Sequence, residues 1–328
     1  MSTASTAGTA IVLGLAAGAS PDTVADVATI AHDTGVSAVR LLDGAPGDVL
    51  DPVTTAAHLA GRFPDLRWLV DAPTTHNAPY NLARRVLSLD RATNGRSGLV
   101  LRSGDGDEVS EATVPDPAAT ARTLRWAEYA RVLTGLWETF PAAALLGDQE
   151  TGVFTEDTLI RPLGHEGRFY RVAGPLDGPS SPQGRPVLVA DAGDELDLAD
   201  ALAHADVVIL PEEHDEQTAT RLTEAFGRAG RPREEVRVLG RVGFPASGDS
   251  PERVAAYLAE RAELYGLDGL DLTITGAPGR LRAVLEALVP RLQPPAGPTL
   301  RAALGLPVPV PASVPSSAPA SVSVGAAS

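Results

Sequence analysis

The feature that most constrains the fold of this chain is a regular alternation of short apolar runs with longer segments of helical spacing. Eight runs have the length and composition of strands, and eight helical segments lie between and after them. The runs begin near residues 10, 36, 66, 98, 186, 206, 235 and 269, and the helical segments cover about 22–34, 52–62, 80–93, 117–140, 195–204, 216–229, 251–265 and 279–292. This α/β pattern predicts a single TIM (β/α)8 barrel rather than two doubly wound domains.

Local signals support these boundaries. Gly35, Gly95, Gly230 and Gly266 each follow a helical run, at the position where a left-handed cap suits a residue without a Cβ. Several strand runs are apolar at successive positions, as expected for parallel strands that are buried under helices.

Two regions fall outside the alternation. Residues 141–185 form an insertion between the fourth helix and the fifth strand, and the segment "GHEGRFYRVAGPL" within it alternates like a hairpin. We expect this insertion to shape the mouth of the active site, as long loops on barrels often do. We therefore predict one domain over residues 1–306. Residues 307–328 form a tail of Pro, Ala, Ser and Val that we expect to be disordered and dispensable.

Composition excludes several classes of function. A formal net charge of −15 disfavours nucleic acid and anionic membranes, because both are bound through clustered Lys and Arg. The absence of cysteine removes disulfides, thiolate metal sites and cysteine nucleophiles. No secretory signal or apolar span is visible, so the sequence predicts a soluble cytoplasmic protein.

General catalytic motifs are missing. The chain has no Walker A loop, no HExxH, no GxSxG and no GxGxxG after a strand, and no metal site is predicted. The exception among its scattered histidines is His76, which follows the third strand, where barrel enzymes assemble their active sites. His76 is the candidate catalytic residue, although a lone loop histidine is more often solvated.

One family resemblance accounts for most of the chain. It covers about residues 36–306 and is carried by several collinear segments, which read "TTHNAPYNLARRVLSLDRATNGRSG" from Thr74, "YARVLTGLWETF" from Tyr129, "GHEGRFYRVAGPLDGPSSPQGRPVLVADAG" from Gly164, "ALAHADVVI" from Ala201 and "PTLRAALGL" from Pro298. These segments resemble the bacterial luciferase-like flavin-dependent monooxygenases, in the branch that contains the nitrilotriacetate and dibenzothiophene-sulfone monooxygenases.

The resemblance implies a barrel that binds reduced flavin mononucleotide (FMNH2), supplied by a separate flavin reductase, and that oxygenates a small organic substrate. In such enzymes the cofactor carries the chemistry, and the protein holds it and excludes water. The resemblance leaves open whether the chain forms homo- or hetero-oligomers.

The positions that match the family's flavin contacts have changed. After the fourth strand the family's Trp and Asn are replaced by Leu99 and Val100, and only Ser103 remains as a polar candidate. After the third strand, Asp71 replaces a usual Thr while Thr74 is kept. Asp43, Asp71, His76, Ser103 and Asp191 are predicted to lie at or just past the carboxyl ends of barrel strands.

The phosphate loop departs furthest from the family. Family members read "QAGxSxxG" after the fifth strand, whereas this chain reads "ADAGDELDLAD". Gly193 is kept, but Asp194 and Glu195 occupy the expected cradle. Each carboxylate about 4 Å from a phosphate costs on the order of 4 kcal/mol at an effective dielectric constant near 20. This loop predicts weak flavin binding.

Three hypotheses about function remain open at this point. The chain could be an active monooxygenase with a rearranged flavin site. It could instead be an inactive paralogue that acts as a binding or partner subunit. A third hypothesis is a barrel that binds another ligand, neutral or cationic, at an acidic mouth.

Overall fold

A computed structural model of the chain describes residues 8–15, 19–44, 51–104, 121–193, 196–212, 215, 217–244, 249–274 and 278–309. The strands in these ranges are β1 (Ala10–Leu15), β2 (Ala38–Leu41), β3 (Trp68–Pro73), β4 (Ser97–Arg102), β5 (Leu145–Asp148), β6 (Val153–Thr155), β7 (His165–Glu166), β8 (Arg171–Val172), β9 (Val187–Asp191), β10 (Val207–Leu210), β11 (Arg237–Gly243) and β12 (Gly269–Ile274). The helices are α1 (Pro21–Thr34), α2 (Pro52–Ala60), α3 (Pro79–Ala92), α4 (Arg122–Glu138), α5 (Leu198–His204), α6 (Thr218–Ala229), α7 (Pro251–Leu264), α8 (Leu281–Leu292) and α9 (Leu300–Ala303).

Eight of these strands form a closed parallel barrel in the order β1-β12-β11-β10-β9-β4-β3-β2. The predicted TIM barrel is therefore confirmed, and each predicted strand and helix overlaps an observed one. All four predicted stop glycines have positive φ. Helix starts follow the chemistry of N-caps, since the side chains of Ser20, Asp51 and Ser250 each accept a backbone N–H of the first turn.

The core has two shells because successive residues of a strand point to opposite faces. Outward residues such as Ile11 and Leu99 pack under the helices. Inward residues fill the lower part of the barrel, and they are small or aliphatic, including Val12, Leu69, Val100, Val189, Ile209 and Leu239. Three leucines around α9 join this inner cluster, namely Leu300, Leu304 and Leu306. These leucines close the amino end of the barrel.

The insertion starts at the end of α4 and returns at the start of β9, so both of its ends lie at the amino end of the barrel. The insertion fills an αβ connection, yet it reaches the start of α3, where Tyr80 Oη donates to the Pro175 carbonyl at 3.2 Å. That it shapes the mouth of the active site stays a prediction. The predicted hairpin is confirmed as β7–β8. It is held by the buried Glu128 carboxylate, which accepts backbone N–H groups of Arg168, Phe169 and Tyr170 and contacts His165 Nε2 at 3.0 Å.

The described chain continues for three residues past the predicted boundary at residue 307. Leu306 is buried, the Pro307 carbonyl accepts a hydrogen bond from Arg301 Nη1 at 3.2 Å, and Pro309 lies over Gly184. Pro307 and Pro309 therefore contact the barrel, and the boundary at residue 307 stays a prediction. The rest of the tail lies outside the described residues.

Candidate active site

Five charged side chains form a layer inside the carboxyl half of the barrel. Each lies two residues beyond an inward-facing small or apolar residue of its own strand, so the period of two places all five inside. We call them the charged layer; they are Arg40 on β2, Asp71 on β3, Asp191 on β9, Arg241 on β11 and Asp271 on β12. The layer carries one more negative than positive charge and separates the apolar lower core from the carboxyl end of the barrel.

Arg40 is the centre of the layer and is 1% exposed. Its Nε and Nη2 donate to the two oxygens of Asp71 at 2.8 and 2.9 Å, in the paired geometry that suits a guanidinium and a carboxylate. Its Nη1 donates to Asp271 Oδ2 at 2.8 Å, and its Nη2 also donates to Asp191 Oδ2 at 2.8 Å. One cation thus joins carboxylates from three strands.

Arg241 is the most exposed member of the layer, with 24% of its side chain accessible. Its Nη2 donates to Asp191 Oδ2, and its Nε lies 3.7 Å from Asp271 Oδ2. Because the other four side chains are almost fully buried, Arg241 is the member that a ligand at the carboxyl end would meet.

The pKa values of two aspartates of the layer shift in opposite directions, although both side chains contact Arg40. Burial raises the pKa of Asp71 above its ordinary value, and Arg40 offsets only part of this rise. Burial also acts on Asp191, but Arg40 and Arg241 together outweigh it and hold the pKa of Asp191 below its ordinary value. Burial lowers the pKa of Arg40, yet its three aspartates raise that pKa well above the usual range. Asp71 is therefore the carboxylate of this pair that takes up a proton more readily.

Asp271 keeps one oxygen without a partner. Its side chain is fully buried, and no donor among the described residues reaches Oδ1. A side chain at Gly14 would begin 3.3 Å from this oxygen, so the glycine leaves space beside it. A buried acceptor without a donor costs about 1–3 kcal/mol, which marks the layer as a place where packing is not optimised for stability.

The positions predicted from sequence gather at the expected end of the barrel. Asp71 and Asp191 join the charged layer, while Asp43 and Ser103 follow β2 and β4 directly, which confirms their predicted placement. Burial raises the pKa of Asp43. Thr74 is buried, and its Oγ1 accepts the backbone N–H of Gly104 at 3.1 Å, so it supports a loop. Asp194 and Glu195 lie outside the described residues.

His76 follows β3 as predicted, and its backbone has φ 60°, a left-handed value that is uncommon outside glycine. Its neighbour Asn77 fixes the loop, since Asn77 Nδ2 donates to the carbonyls of Pro73 and Thr75 at 3.2 and 3.1 Å. Tyr129 Oη donates to the Asn77 carbonyl at 2.8 Å. The His76 side chain is exposed and lines a surface groove between α2 and α3, away from the charged layer.

Gly193 is the one described residue of the cradle that the resemblance assigns to the flavin phosphate. The Gly193 N–H already donates to Asp191 Oδ1 at 3.1 Å. A Cβ at this glycine would lie 3.0 Å from Arg241 Nη1, so the guanidinium covers the space above it. A phosphate held by this amide would have to displace the Asp191 carboxylate, whereas the Arg241 guanidinium nearby is a cation of the kind that pairs with phosphate.

Sequence reasoning missed Arg40, Arg241 and Asp271. The signal was present, because "AVRL", "VLGRV" and "GLDLT" each place one charge among apolar residues of a buried strand. A charged side chain in such a run needs a buried partner. A comparison of the three strands would have suggested that their opposite charges pair with one another.

The closed βα barrel, with polar residues gathered at the carboxyl ends of its strands, defines a TIM-barrel protein of the enzyme type. The sequence model of the family described as Luciferase-like monooxygenase matches residues 3–304. The chain therefore belongs to the luciferase-like monooxygenase family. Among the residues that the structure describes, no helix is long and apolar enough to cross a membrane. No group of three candidate ligands within those residues could hold a metal ion.

Curated relatives confirm the branch. The chain is 30% identical over 222 residues to nitrilotriacetate monooxygenase component A of Aminobacter aminovorans, covering 66% of this chain and 49% of the relative. It is 27% identical over 219 residues to N-acetyl-S-(2-succino)cysteine monooxygenase of Bacillus subtilis (strain 168), covering 65% and 49%. The chain spans about half the length of these curated relatives.

A solved structure supports the fold. Riboflavin lyase, determined with modified FMN and the substrate riboflavin, superposes with a TM-score of 0.78 at 20% identity. The match covers 92% of this chain and 96% of that one. At this identity the likeness establishes the barrel fold and leaves the chemistry to the site.

Proposed function

We propose that this chain is an FMNH2-dependent monooxygenase that acts on a small organic substrate at the carboxyl end of the barrel, with a rearranged flavin site. The observation that carries this proposal is the charged layer, which lies at the end where barrel enzymes place their chemistry, in a chain of the luciferase-like family.

The cost of the layer supports a functional role. Buried ion networks stabilise no more than well-packed apolar side chains of similar size, and often less. The lower barrel of the same chain is filled with aliphatic residues, so apolar filling is available to this fold. The five charged side chains lie directly above these aliphatic residues. A role in binding or catalysis at the carboxyl end explains them better than a contribution to stability.

A bound reduced flavin would supply the oxygen-activating chemistry. The chain would supply a dry floor, because aliphatic side chains such as Val100, Val189 and Leu239 fill the barrel directly below the charged layer. Arg241 would present its exposed guanidinium to the ligand. A separate flavin reductase would deliver the reduced cofactor, and the name of the relative that is called a component A supports such a division of labour.

A second candidate function is an inactive paralogue that serves as a binding or partner subunit. The observation that favours it is the Gly193 amide, which already donates to Asp191 Oδ1 at 3.1 Å. Both candidates share the prediction that FMN binds more weakly than in relatives that keep the usual cradle.

Reoxidation of reduced flavin separates the two candidates. Anaerobic FMNH2 with excess protein is mixed with oxygenated buffer in a stopped-flow instrument, and flavin absorbance is followed. A monooxygenase changes the time course in proportion to the flavin bound, and Arg241→Ala removes the change. Arg282→Ala, which alters an exposed arginine on α8, is the matched control. A time course identical to that of free flavin at every protein concentration would reject the proposal and favour the paralogue.

A further inference from the structure

One face of α4 carries three buried polar side chains. Glu128 and Tyr129 follow Arg125 by three and four residues, so all three lie on the same side of the helix. A buried polar group costs free energy unless it is hydrogen-bonded. Each of these side chains forms hydrogen bonds with main-chain atoms of a segment outside α4. We call the three residues the α4 polar stripe.

Two members of the stripe hold loops at the carboxyl end of the barrel. Arg125 Nη2 donates to the Gly104 carbonyl at 2.9 Å, just past β4. Tyr129 Oη donates to the Asn77 carbonyl at 2.8 Å, in the loop that follows β3. The two loops also hold each other, because Thr74 Oγ1 accepts the Gly104 N–H at 3.1 Å.

The loop that follows β3 needs this support. We call residues 74–77 the mouth loop; it begins three residues after Asp71 of the charged layer. His76 has φ 60°, and a residue other than glycine keeps such a backbone only where its surroundings fix it. The Asn77 side chain and Tyr129 Oη supply that fixation from inside and outside the loop.

The third member of the stripe, Glu128, holds the hairpin β7–β8. Its two carboxylate oxygens accept the backbone N–H groups of Arg168, Phe169 and Tyr170 at distances between 2.8 and 3.2 Å. Successive N–H groups that converge on one anion fix the backbone that carries them. Among the described residues, none of the hydrogen bonds of Glu128 goes to the mouth loop.

An aromatic contact connects the hairpin with the mouth loop. Tyr170 meets Tyr129 edge to face, with ring centroids 5.2 Å apart and an angle of 89° between the ring planes. The N–H of Tyr170 is the one that Glu128 Oε1 accepts at 2.8 Å. The carboxylate therefore places the ring that braces Tyr129.

We propose that Tyr129 and Glu128 are positioning residues for the carboxyl end of the barrel. Tyr129 holds the mouth loop directly, and Glu128 holds it indirectly, by keeping the hairpin β7–β8 and its Tyr170 ring against Tyr129. The effect of this loop on turnover rests on the proposed function, whereas its rigidity does not.

Spin labelling tests the proposal without flavin, because the chain has no cysteine of its own. His76, the exposed residue of the mouth loop, is replaced with His76→Cys in the full-length chain and labelled with a nitroxide. The electron paramagnetic resonance spectrum then reports loop motion on the nanosecond timescale. Tyr129→Phe keeps the ring beside Tyr170 but removes the hydroxyl that holds Asn77. Its spectrum should gain a mobile component that the otherwise unchanged chain lacks.

Glu128→Gln tests the indirect part of the proposal. The side chain keeps its shape, but its amide places a donor against the N–H groups of the hairpin turn. The label should become mobile, although Glu128 has no hydrogen bond to the loop. In a Tyr129→Phe background the same change should add little, because the route through Tyr129 Oη is already cut. Thr134→Val is the matched control, since it removes a hydroxyl that bonds only within α4, and its spectrum should be unchanged.

An unchanged spectrum in Tyr129→Phe would overturn the proposal. So would a Glu128→Gln chain that melts at a lower temperature while its label stays immobile, since Glu128 would then act on stability alone. Additive effects in the double variant would reject the route through Tyr129. Circular dichroism checks that each variant is folded, and Tyr129→Phe alone keeps the test decisive where Glu128→Gln does not fold. Failure of the proposed function is seen separately, in the stopped-flow assay, and leaves these spectra unaffected.

Discussion

The two ends of the barrel solve the problem of buried charge in different ways. At the amino end, buried carboxylates are surrounded by donors, and three leucines seal the opening. At the carboxyl end, the charged layer holds two arginines against three aspartates, and one oxygen of Asp271 has no donor. The amino end is built for stability, and the carboxyl end keeps unbalanced charge where a ligand can arrive.

The two buried carboxylates of the amino end are well supplied with donors, although Arg301 Nε beside Asp206 has no partner among the described residues. Asp90 accepts hydrogen bonds from the Ser97 N–H at 2.9 Å, from Gln183 Nε2 at 2.9 Å and from Ser181 Oγ. Asp206 is fully buried and accepts both Nη groups of Arg185 at 3.0 and 2.9 Å, together with Arg301 Nη2 at 3.1 Å.

These same residues lie in the segments that carry the family resemblance. Asp90 belongs to "SLDRATNGR", Ser181 and Arg185 belong to "SPQGRPVLV", and Arg301 belongs to "PTLRAALGL". The segments that carry the resemblance therefore include residues that hold the scaffold together. The family resemblance of this chain is therefore stronger evidence for its fold than for its reaction.

The largest effect is expected from Arg40→Met. Removal of the central cation leaves three carboxylates buried without their common partner, and breaking a buried pair typically costs about 3–5 kcal/mol. Urea unfolding near pH 7 should show that the free energy of unfolding falls by this amount. Arg40→Lys keeps the positive charge but not the planar guanidinium that bonds several carboxylates. Its loss of unfolding free energy should therefore be smaller. A loss of unfolding free energy below about 1 kcal/mol for Arg40→Met would contradict this account of the carboxyl end, because the charged layer would then not depend on Arg40.

A smaller effect is expected at the amino end from Asp206→Asn. The substitution keeps the shape but removes the charge that faces Arg185 and Arg301, and hydrogen bonds to charged groups contribute about 1.5–3 kcal/mol. Unfolding should show a loss of about 2 kcal/mol. Any flavin binding of the folded protein should remain unchanged. A variant of normal stability with altered flavin binding would show that the two ends are not separate in function.

The pH dependence of this loss has a defined sign. Burial raises the pKa of Asp206, but Arg185 and Arg301 outweigh burial and hold its pKa below the ordinary value. Its stabilisation is therefore complete above the unfolded pKa of about 3.9 and is lost as the pH falls through the lower folded value. Wild type and Asp206→Asn should converge in stability below about pH 4 and differ by a constant amount from pH 5 to 7. A stability difference between wild type and Asp206→Asn that grows as the pH falls would contradict the lowered pKa of Asp206.

Asp71 at the other end is the opposite case. Its raised pKa contributes stability that is present below about pH 3.9 and is lost as the pH rises through the folded value. Asp71 and Asp206 therefore respond to acid with opposite signs.

The smallest effect is expected from shortening the tail. Truncation after Pro309 should change the free energy of unfolding by less than about 0.5 kcal/mol, as surface changes do. Truncation after Gly305 also removes the buried Leu306 and the Pro307 carbonyl that Arg301 binds, and should cost about 2 kcal/mol. Equal stability of the two truncated chains would mean that Leu306 does not seal the amino end.

The periodicity of the sequence was enough to predict the barrel, because each strand and helix has a local pattern and a local stop. The hairpin β5–β6 was not predicted, since its exposed leucines resemble neither a buried strand nor a polar loop. The charged layer was also missed as a unit. Arg40 meets partners 31, 151 and 231 residues away, and only closure of the barrel brings them together.

The prediction of a weak flavin site rests on two parts of the loop after β9. Gly193 is described, and its amide is already bonded to Asp191. Asp194 and Glu195 enter only through their charge in the sequence. Replacing both with serine should tighten FMN binding, more at low salt than at high salt, because repulsion between exposed charges is screened. No change on this replacement would mean that the two acids point away from the cradle.

Titration of the full-length chain with oxidised and reduced FMN tests the central claim most directly, namely that the scaffold is kept while the flavin cradle is rearranged. Isothermal titration calorimetry, run anaerobically for the reduced form, should give a dissociation constant above about 100 μM, because each carboxylate near the phosphate costs on the order of 4 kcal/mol and every 1.4 kcal/mol is a factor of ten. The protein should also purify without flavin colour. A low-micromolar dissociation constant for reduced FMN in the unmodified chain would contradict the account and show that the carboxyl end holds the cofactor in a way that Asp191 and Arg241 do not prevent.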